Sequence, residues 1–367
     1  ELRRQGHEVR VMSTIGDGCA KVDYVLQERH IYPFDNLIHS YGFHFAKTDK
    51  TIMRKAISWC DVVHFMMPFG ITYFGKQIAD ELGKPTTVAF HIQPENVLSG
   101  ANLGKVRWLV NLTYRLWWKY IYSRFEHIHC PSLFMRETMM AHGYTGDIRA
   151  ISNGIASDFT YHKTARTAFP QDAIVITMIG RLAHEKRQDL IIEAAKRSKY
   201  ADRIQLVFAG NGPLKEDYIR LSKGLAHPIV FGYYTEEQLL DVLGQTDLYV
   251  HASDMESEAI ACIEAFATGL VPVISDSKDS ATKQFALDDR SLFTAGDADS
   301  LANKIDYWFD HPAEKAAMEH TYARHAENYH LDACVLCFTH MLQTAIQQQL
   351  NNYEIVVKQQ LSVTLPE

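Results

Sequence analysis

The sequence contains no run of about 18 consecutive apolar residues, so no segment reads as a membrane-spanning helix. Its most apolar window, residues 60–74, is broken by Asp61, His64 and Pro68 and reads as a buried strand followed by a loop. A secretory leader pattern is also missing. Positive charge is not in excess: the net charge is -7, which excludes a general nucleic-acid binder but leaves room for a local basic patch facing a membrane or an acidic ligand. Cysteines Cys19, Cys60, Cys130, Cys262, Cys334 and Cys337 are too scattered for a disulfide framework and sit mostly in apolar stretches, as reduced core thiols in a cytosolic setting. Cys334 and Cys337, near His330 and His340, superficially suggest a metal site. No second cysteine pair completes it, and spacing i, i+3 places both thiols on one helical face, which favours core packing. Internal repeats are absent, and the only biased tract is Gln347–Gln349.

What is present is a globular composition, 47% hydrophobic and 22% charged, over 367 residues, a length that suits two domains. Short β-branched runs alternate with helical patterns along most of the chain. The strand candidates are Glu8–Met12, Val62–Met66, Thr86–Phe90, His127–Cys130 and Arg149–Ile151, then Ile174–Ile179, Gln205–Ala209, Ile229–Phe231, Leu248–His251 and Val271–Ile274. Between them, the helix at 187–199 places Leu190, Ile191, Ala194 and Ala195 on one face, and Thr235 with Gln238 forms a capping-box pattern. Such an order implies parallel, doubly wound sheets with ligands at the carboxyl ends of strands. Turn chemistry at Ser152-Asn153-Gly154 divides the chain into a domain at 1–152 and a second at 153–322, followed by a polar helical segment at 323–367 expected to pack back towards the first. The opening ELRRQGHEV reads as the end of a helix entering a strand, so an earlier strand with its Gly-rich loop is expected ahead of it.

Two constellations carry chemistry. Gly180-Arg181-Leu182-Ala183-His184-Glu185-Lys186 follows the strand IVITMI. A glycine at a strand end permits a tight turn, and a guanidinium fork plus an ammonium beside a helix N-terminus suits a diphosphate. A plain strand-to-helix loop with two solvated cations is the competing reading. The second constellation is Glu256 and Glu264, eight positions apart. On one helix they would lie roughly 12 Å apart by rise, too far for a shared proton but suited to gripping hydroxyls at two ends of an elongated ligand. Glu256 alone is weak, since acidic residues often begin helices for dipole reasons. Glu258 is expected to face solvent.

Taken with RRQGHEVRVMS, VAFHIQPEN, SNGI, LVFAGNGPL, VFGYYTEEQLLDVLGQTDLYVHAS and ESEAIACIEAFATGLVPVIS, these segments resemble the retaining glycosyltransferases of family four, whose GT-B fold has two Rossmann-like domains facing a cleft. The resemblance implies that Arg181 and Lys186 bind the donor's diphosphate beside Gly180, that Glu264 accepts from ribose hydroxyls and that Glu256 accepts from sugar hydroxyls. It implies further that Gly210-Asn211-Gly212-Pro213 lines the nucleotide site and that Tyr233 and Tyr234 flank the base, while His91 reaches the transferred sugar. Where the family has glycines after the first glutamate, this chain has Ser257, Glu258 and Ala259, so phosphate contacts there rest on the amides of Ser257, Ala259 and Ile260.

The activity implied is retaining transfer of a hexose from a nucleoside-diphosphate sugar, UDP-linked before GDP-mannose, with no cofactor and no metal. His91, Arg181, Lys186 and Glu256 would be the catalytic residues. For the acceptor, the acid-free stretch KVRWLVNLTYRLWWKYIYSR (105–124) suits an anionic membrane surface through Arg107, Trp108, Arg115, Trp117, Trp118 and Lys119. A helix packed on the first sheet is the alternative. Similarity of SATKQFALDDRSLF (280–293) to bacterial glycolipid-forming members favours a lipid such as diacylglycerol, and hence a cytoplasmic protein peripheral to the inner membrane face. Competing functions are a nucleotide-sugar epimerase or hydrolase on the same fold, and a non-catalytic sugar-nucleotide-binding module.

Overall fold

A computed structural model describes residues 1–14, 22–33, 35, 39, 44–99, 103–104 and 106–364. The described chain forms two units, one of residues 1–151 with 335–367 and one of Ser152–Cys334. Every pair of strands in either unit runs parallel.

In the first unit β1 (Met12–Ser13) pairs with β2 (Tyr24–Val25). A four-stranded sheet follows in the order β3 (Val63–Phe65), β4 (Thr86–Ala89), β5 (His127–Cys130) and β6 (Asp147–Ala150). The connecting helices are α1 (Lys50–Trp59), α2 (Gly70–Glu81), α3 (Pro94–Ser99), α4 (Arg107–Tyr120) and α5 (Leu133–Ala141). Side chains of Asp49 and Ser132 cap α1 and α5 by accepting from first-turn amides, as short polar residues do at helix starts. Phe90, Tyr114, Tyr122 and Ile128 centre the core of this unit.

The second unit is a six-stranded sheet of β7 (Ile174–Ile179), β8 (Ile204–Ala209), β9 (Val230–Gly232), β10 (Leu248–His251), β12 (Pro272–Ser275) and β14 (Leu292–Phe293). Beside it lies a two-residue ladder of β11 (Met255–Glu256) with β13 (Asp279–Ser280). Its helices are α6 (Gln188–Arg197), α7 (Lys215–Leu221), α8 (Glu236–Gly244), α9 (Ile260–Ala267), α10 (Ala298–Asp310) and α11 (Pro312–Ala326). Across the sheet the strands run β14-β12-β10-β7-β8-β9. Chain order therefore reverses between β7 and β10, and that switch point is where loops part and a ligand can enter at the strands' carboxyl ends. The final helix, α12 (Leu331–Thr364), packs on the first unit beyond Val335. There Gln348 meets His127 at 2.8 Å, and Arg149 meets His340 at 3.1 Å and Thr344 at 3.3 Å.

Most strand and helix positions follow the hydrophobic pattern, including the buried face of α6 and the capping box of α8. Several expectations need correction. The first strand shrinks to Met12–Ser13, because the Asp23 carboxylate takes the Val11 N–H at 2.9 Å. The presumed loop before Phe74 is the start of α2, which buries Thr72, Gly75, Ile78 and Ala79. Cys334 is buried but Cys337 is exposed, so the two thiols do not share the covered face of α12, which runs instead through Cys334, Thr339 and Met341. Cys19 and Lys105 lie outside the described residues. Among the described residues, no helix is long and apolar enough to cross a membrane.

Glu258, expected in solvent, is only 5% exposed. Its carboxylate accepts from Ser152 Oγ, from Asn153 N at 3.0 Å and from Asn153 Nδ2 at 2.5 Å. Burial raises its pKa even though these donors pull the other way. The Ser-Asn turn supplies a ready set of donors, so a carboxylate that sequence alone assigns to water finds partners inside. Replacing it with alanine leaves those donors unmatched. Glu258→Ala should cost about 1–3 kcal/mol in urea unfolding and Glu258→Gln distinctly less; equal losses would show that the hydrogen bonds are not what matters here.

Candidate functional site

The site of the second unit grows from the ends of β7, β8 and β9. After β7 comes Gly180, whose N–H donates to Ala209 O at 2.9 Å. Gly210 after β8 has φ +159, and a Cβ there would lie 2.0 Å from Gly180 O. A Cβ on Gly212 would lie 2.4 Å from Leu182 O. These glycines let two backbones touch: Leu182 N donates to Asn211 O at 3.0 Å, Leu214 N to Leu182 O at 3.1 Å, and Gly210 N to Gly232 O at 2.7 Å. The loop carrying Arg181 is thus set by main-chain bonds, and Gln188 Nε2 on Arg181 O at 2.9 Å closes its far side.

Lys186 ends a single 3-10 turn, His184–Lys186. That turn is fastened to the loop after β10: Asp254 N donates to Glu185 O at 2.8 Å, and Arg187 pairs with Asp254 at 3.2 Å. The fastening brings Lys186 Nζ to 2.5 Å from Glu256 Oε1. The same oxygen is 2.9 Å from His251 Nε2, and His251 Nδ1 is 3.0 Å from the Tyr249 hydroxyl. Burial works to raise the Glu256 pKa, yet the Lys186 ammonium and the His251 hydrogen bond outweigh it and hold the carboxyl well below its ordinary range. Arg181 pairs with Glu185 at 2.6 Å on the surface.

Glu256 stands on β11, not on the helix expected for it. The β11–β13 ladder fixes it, and the chain then turns at Ala259, φ +69, before α9 begins at Ile260. The helical rise between Glu256 and Glu264 therefore does not apply. Left-handed backbone is unusual for alanine and costs roughly 1–2 kcal/mol; Ala259 adopts it where glycine was expected from the resemblance. Glu264 sits in the second turn of α9, with its pKa raised to about 6 by burial and by Glu236 at the start of α8. Tyr233 projects into solvent between β9 and α8, 87% exposed. The chain's one Asp-x-Asp tripeptide, Asp297-Ala298-Asp299, is engaged in capping α10 through the Asp297 carboxylate.

In the first unit His91 follows β4. Its Nε2 lies 3.3 Å from His129 Nδ1, and His129 Nε2 lies 2.7 Å from the Ile151 carbonyl. A carbonyl only accepts, so His129 carries its proton on Nε2 and presents a bare Nδ1. His91 must then donate from Nε2, which leaves its own Nδ1 as an acceptor. Burial and the neighbouring His129 push His91 down to about 3, so it is neutral in ordinary buffers. His129 and His251 were missed by sequence reasoning; each reads there as one more residue of a buried strand.

The acid-free helix α4 divides differently from expectation. Trp117 and Trp118 are half-buried against the first unit's core, beside fully buried Tyr114. The exposed apolar stripe is Trp108, Leu112, Leu116 and Tyr120, with Arg107, Arg115 and Lys119 also exposed. Helical periodicity explains the split: residues four apart share a face, and 117 and 118 fall on the other side of it. A groove of about 390 Å³ adjoins the stripe, lined by Pro68, Phe69, Tyr73, Leu116, Trp117 and Tyr120 among others.

Residues 1–159 match the family described as "Glycosyltransferase Family 4", and residues 162–326 that described as "Glycosyl transferases group 1". The chain is 26% identical over 226 residues to a GDP-mannose-dependent alpha-mannosyltransferase of Mycolicibacterium smegmatis, covering 59% of this chain and 55% of that protein. It is 23% identical over 307 residues to the alpha-monoglucosyldiacylglycerol synthase of Streptococcus pneumoniae, covering 75% of this chain and 65% of that protein. The matches span only 55–65% of the length of these two relatives. Among solved structures, Anabaena Alr3699/HepE in complex with UDP superposes with TM-score 0.65 at 15% identity, over 80% of this chain and 82% of that one, a likeness of fold.

The Lys186–Glu256 pair has a measurable signature. A carboxyl with a lowered folded pKa contributes its full stability above the unfolded value, near 4.5, and loses it as pH falls towards the folded value. Lys186→Met strands a buried carboxylate and should lower stability at pH 7 by about 3 kcal/mol, a gap that narrows as the pH is taken below 4.5. The Lys186→Met/Glu256→Gln double variant should recover much of it; denaturant titrations at pH 7 and pH 3.5 read both effects.

Proposed function

Because the chain belongs to the family-four glycosyltransferases, with two Rossmann-like domains in the GT-B fold, we propose that it moves a hexose from a nucleoside-diphosphate sugar to the hydroxyl of a membrane lipid, with retention of configuration. The observation that carries this reading is the Lys186–Glu256–His251 chain at the switch point of the second sheet. Three aligned polar groups there offer a cation for phosphate and an acceptor for sugar hydroxyls within one hydrogen-bonded row. Arg181 and Lys186 would neutralise the departing diphosphate, a contribution largest where negative charge grows as the glycosidic bond breaks. The ammonium has three protons and gives one to Glu256, which leaves it capacity for phosphate. Amides of Ser257, Ala259 and Ile260 at the start of α9 would add donors.

Glu256 would orient the hexose and Glu264 the ribose, with Tyr233 beside the base and the loop 210–213 beneath the nucleotide. His91, neutral and with Nδ1 free to accept, suits a hydroxyl of the transferred sugar. A UDP-sugar is the first choice of donor, in line with the UDP complex of the similar HepE fold, and GDP-mannose is the second, from the mannosyltransferase relative. The lipid acceptor draws support from the α4 stripe, where an aromatic and aliphatic face flanked by arginine and lysine matches an anionic headgroup layer. The diacylglycerol glucosyltransfer named for the pneumococcal relative points the same way. The enzyme would then work peripherally at a membrane surface.

Two expectations test this. Transfer from UDP-, GDP- and ADP-sugars, assayed with and without anionic vesicles containing diacylglycerol, should find one donor whose turnover to lipid rises with vesicles. Trp108→Ser/Leu112→Ser should lower vesicle binding about tenfold while sparing donor binding. Release of free epimer or free hexose, with no lipid product under any condition, would support an epimerase or hydrolase and refute transfer. The second expectation concerns pH: a ribose grip by the ionised Glu264 weakens as the carboxylate is protonated. The KM for the donor should therefore rise as pH falls through about 6, and Glu264→Gln should flatten that limb. A limb that persists in Glu264→Gln belongs to another group.

A further inference from the structure

Outside the site described above, the first unit holds a cluster of metal-ligating groups. Glu28 Oε1 lies 2.7 Å from His39 Nε2 and 2.9 Å from His44 Nδ1. One ligand atom from each residue falls within 4.8 Å of the others, and among the described residues no other such group of three is found. We propose that Glu28, His39 and His44 form a binding site for one zinc ion, independent of the glycosyl-transfer site, with a water molecule completing its coordination.

The backbone places two of the three ligands before any metal arrives. Glu28 bridges to Ala46 in antiparallel fashion, flanked by Arg29 N to Phe45 O at 2.6 Å and Lys47 N to Gln27 O at 2.7 Å. Phe45 is anchored in turn by an edge contact with Phe69, ring centroids 4.8 Å apart. That clip sets Glu28 and His44 side by side. His39 supplies the third ligand, its ring stacked on His44 with centroids 4.6 Å apart.

Two imidazoles and one carboxylate are a zinc ligand set that leaves a position open for water. The separations to Glu28 are those of hydrogen bonds, and two ligands each about 2.0–2.2 Å from a tetrahedral ion lie only slightly further apart than that. Small side-chain rotations therefore suffice. Each ring now turns an N–H towards the carboxylate, so the nitrogens facing Glu28 are the ones that would ligate zinc once their protons have left, either to the other ring nitrogen or to water. The nearby His30 and Asp35 do not compete, because they hold each other at 3.0 Å and Asp35 also accepts from Ile31 N at 2.5 Å. Partial burial leaves one side accessible, with 27–35% of each ligand side chain exposed. Zinc would tie His39 to Glu28 and His44 at the clip, so binding and the arrangement of these three side chains are coupled.

The test uses the full chain stripped with a chelator and titrated with zinc chloride against a competing chromogenic chelator. One equivalent should bind to the wild type, at least tenfold more tightly than to His39→Ala or His44→Ala, and His30→Ala should match the wild type. Bound zinc should also slow tryptic cleavage after Arg29 in the wild type but not in His39→Ala. Circular dichroism of the metal-free proteins confirms that the variants are folded, and Glu28→Gln serves as the milder variant if either alanine is not. Failure of the folded wild type to bind zinc, or unchanged affinity in the folded variants, overturns the proposal. Neither result bears on glycosyl transfer, which is measured separately.

Discussion

A lysine ammonium and a glutamate carboxylate, 70 positions apart in sequence, meet in the second unit, partly buried, with 20% and 12% of their side chains exposed. Much of the surrounding architecture serves to hold them together. The 3-10 turn that carries Lys186 is bound to Asp254, and the short β11–β13 ladder fixes Glu256. His251 takes the remaining side of the same oxygen from the last position of β10. Because the pair forms where strand order reverses, its charges stand at an opening between loops and not in a sealed core. An ion pair so placed can exchange partners more readily than a sealed one, because an anion entering the opening would reach the ammonium without crossing a dry interior.

The two units handle polar groups in opposite ways. In the second, a cation and an anion balance each other under partial cover. In the first, His64, His91 and His129 lie close together and burial drives all three towards the neutral form. The Ile151 carbonyl decides which nitrogen of His129 is protonated, and this decides what His91 offers. A main-chain oxygen one residue past the end of β6 would hardly attract notice among functional groups, yet it sets the hydrogen-bonding character of a side chain two residues past the end of β4.

How much of this was legible in the sequence depended on range. The central strands and α6 announced themselves through apolar runs and periodicity, and the cations Arg181 and Lys186 through their position just past a strand. Glu256 was found by its spacing from Glu264 but placed on the wrong element, since a two-residue ladder has no periodicity to read and alanine does not advertise a left-handed turn. Glu258 was misjudged because the donors that make its burial tolerable come from Ser152 and Asn153, more than a hundred positions away. On α4 the composition was read correctly as basic and aromatic, but composition does not say which face a tryptophan takes. Only the packing of Tyr114 does, by turning Trp117 and Trp118 inward and leaving Trp108 outside.

The seam where Gly210 and Gly212 press on the backbone of residues 180–182 has a consequence for how such a protein can vary. Backbones that touch directly admit no side chain at the points of contact, but they are indifferent to the side chains on either hand. Arg181 and Asn211 lie within this seam, and the bonds that hold it, Leu182 N to Asn211 O and Leu214 N to Leu182 O, are made by main-chain atoms and not by their side chains. Geometry and chemical identity are thereby inherited separately: the frame stays fixed while the surface it presents is free to drift towards a new ligand.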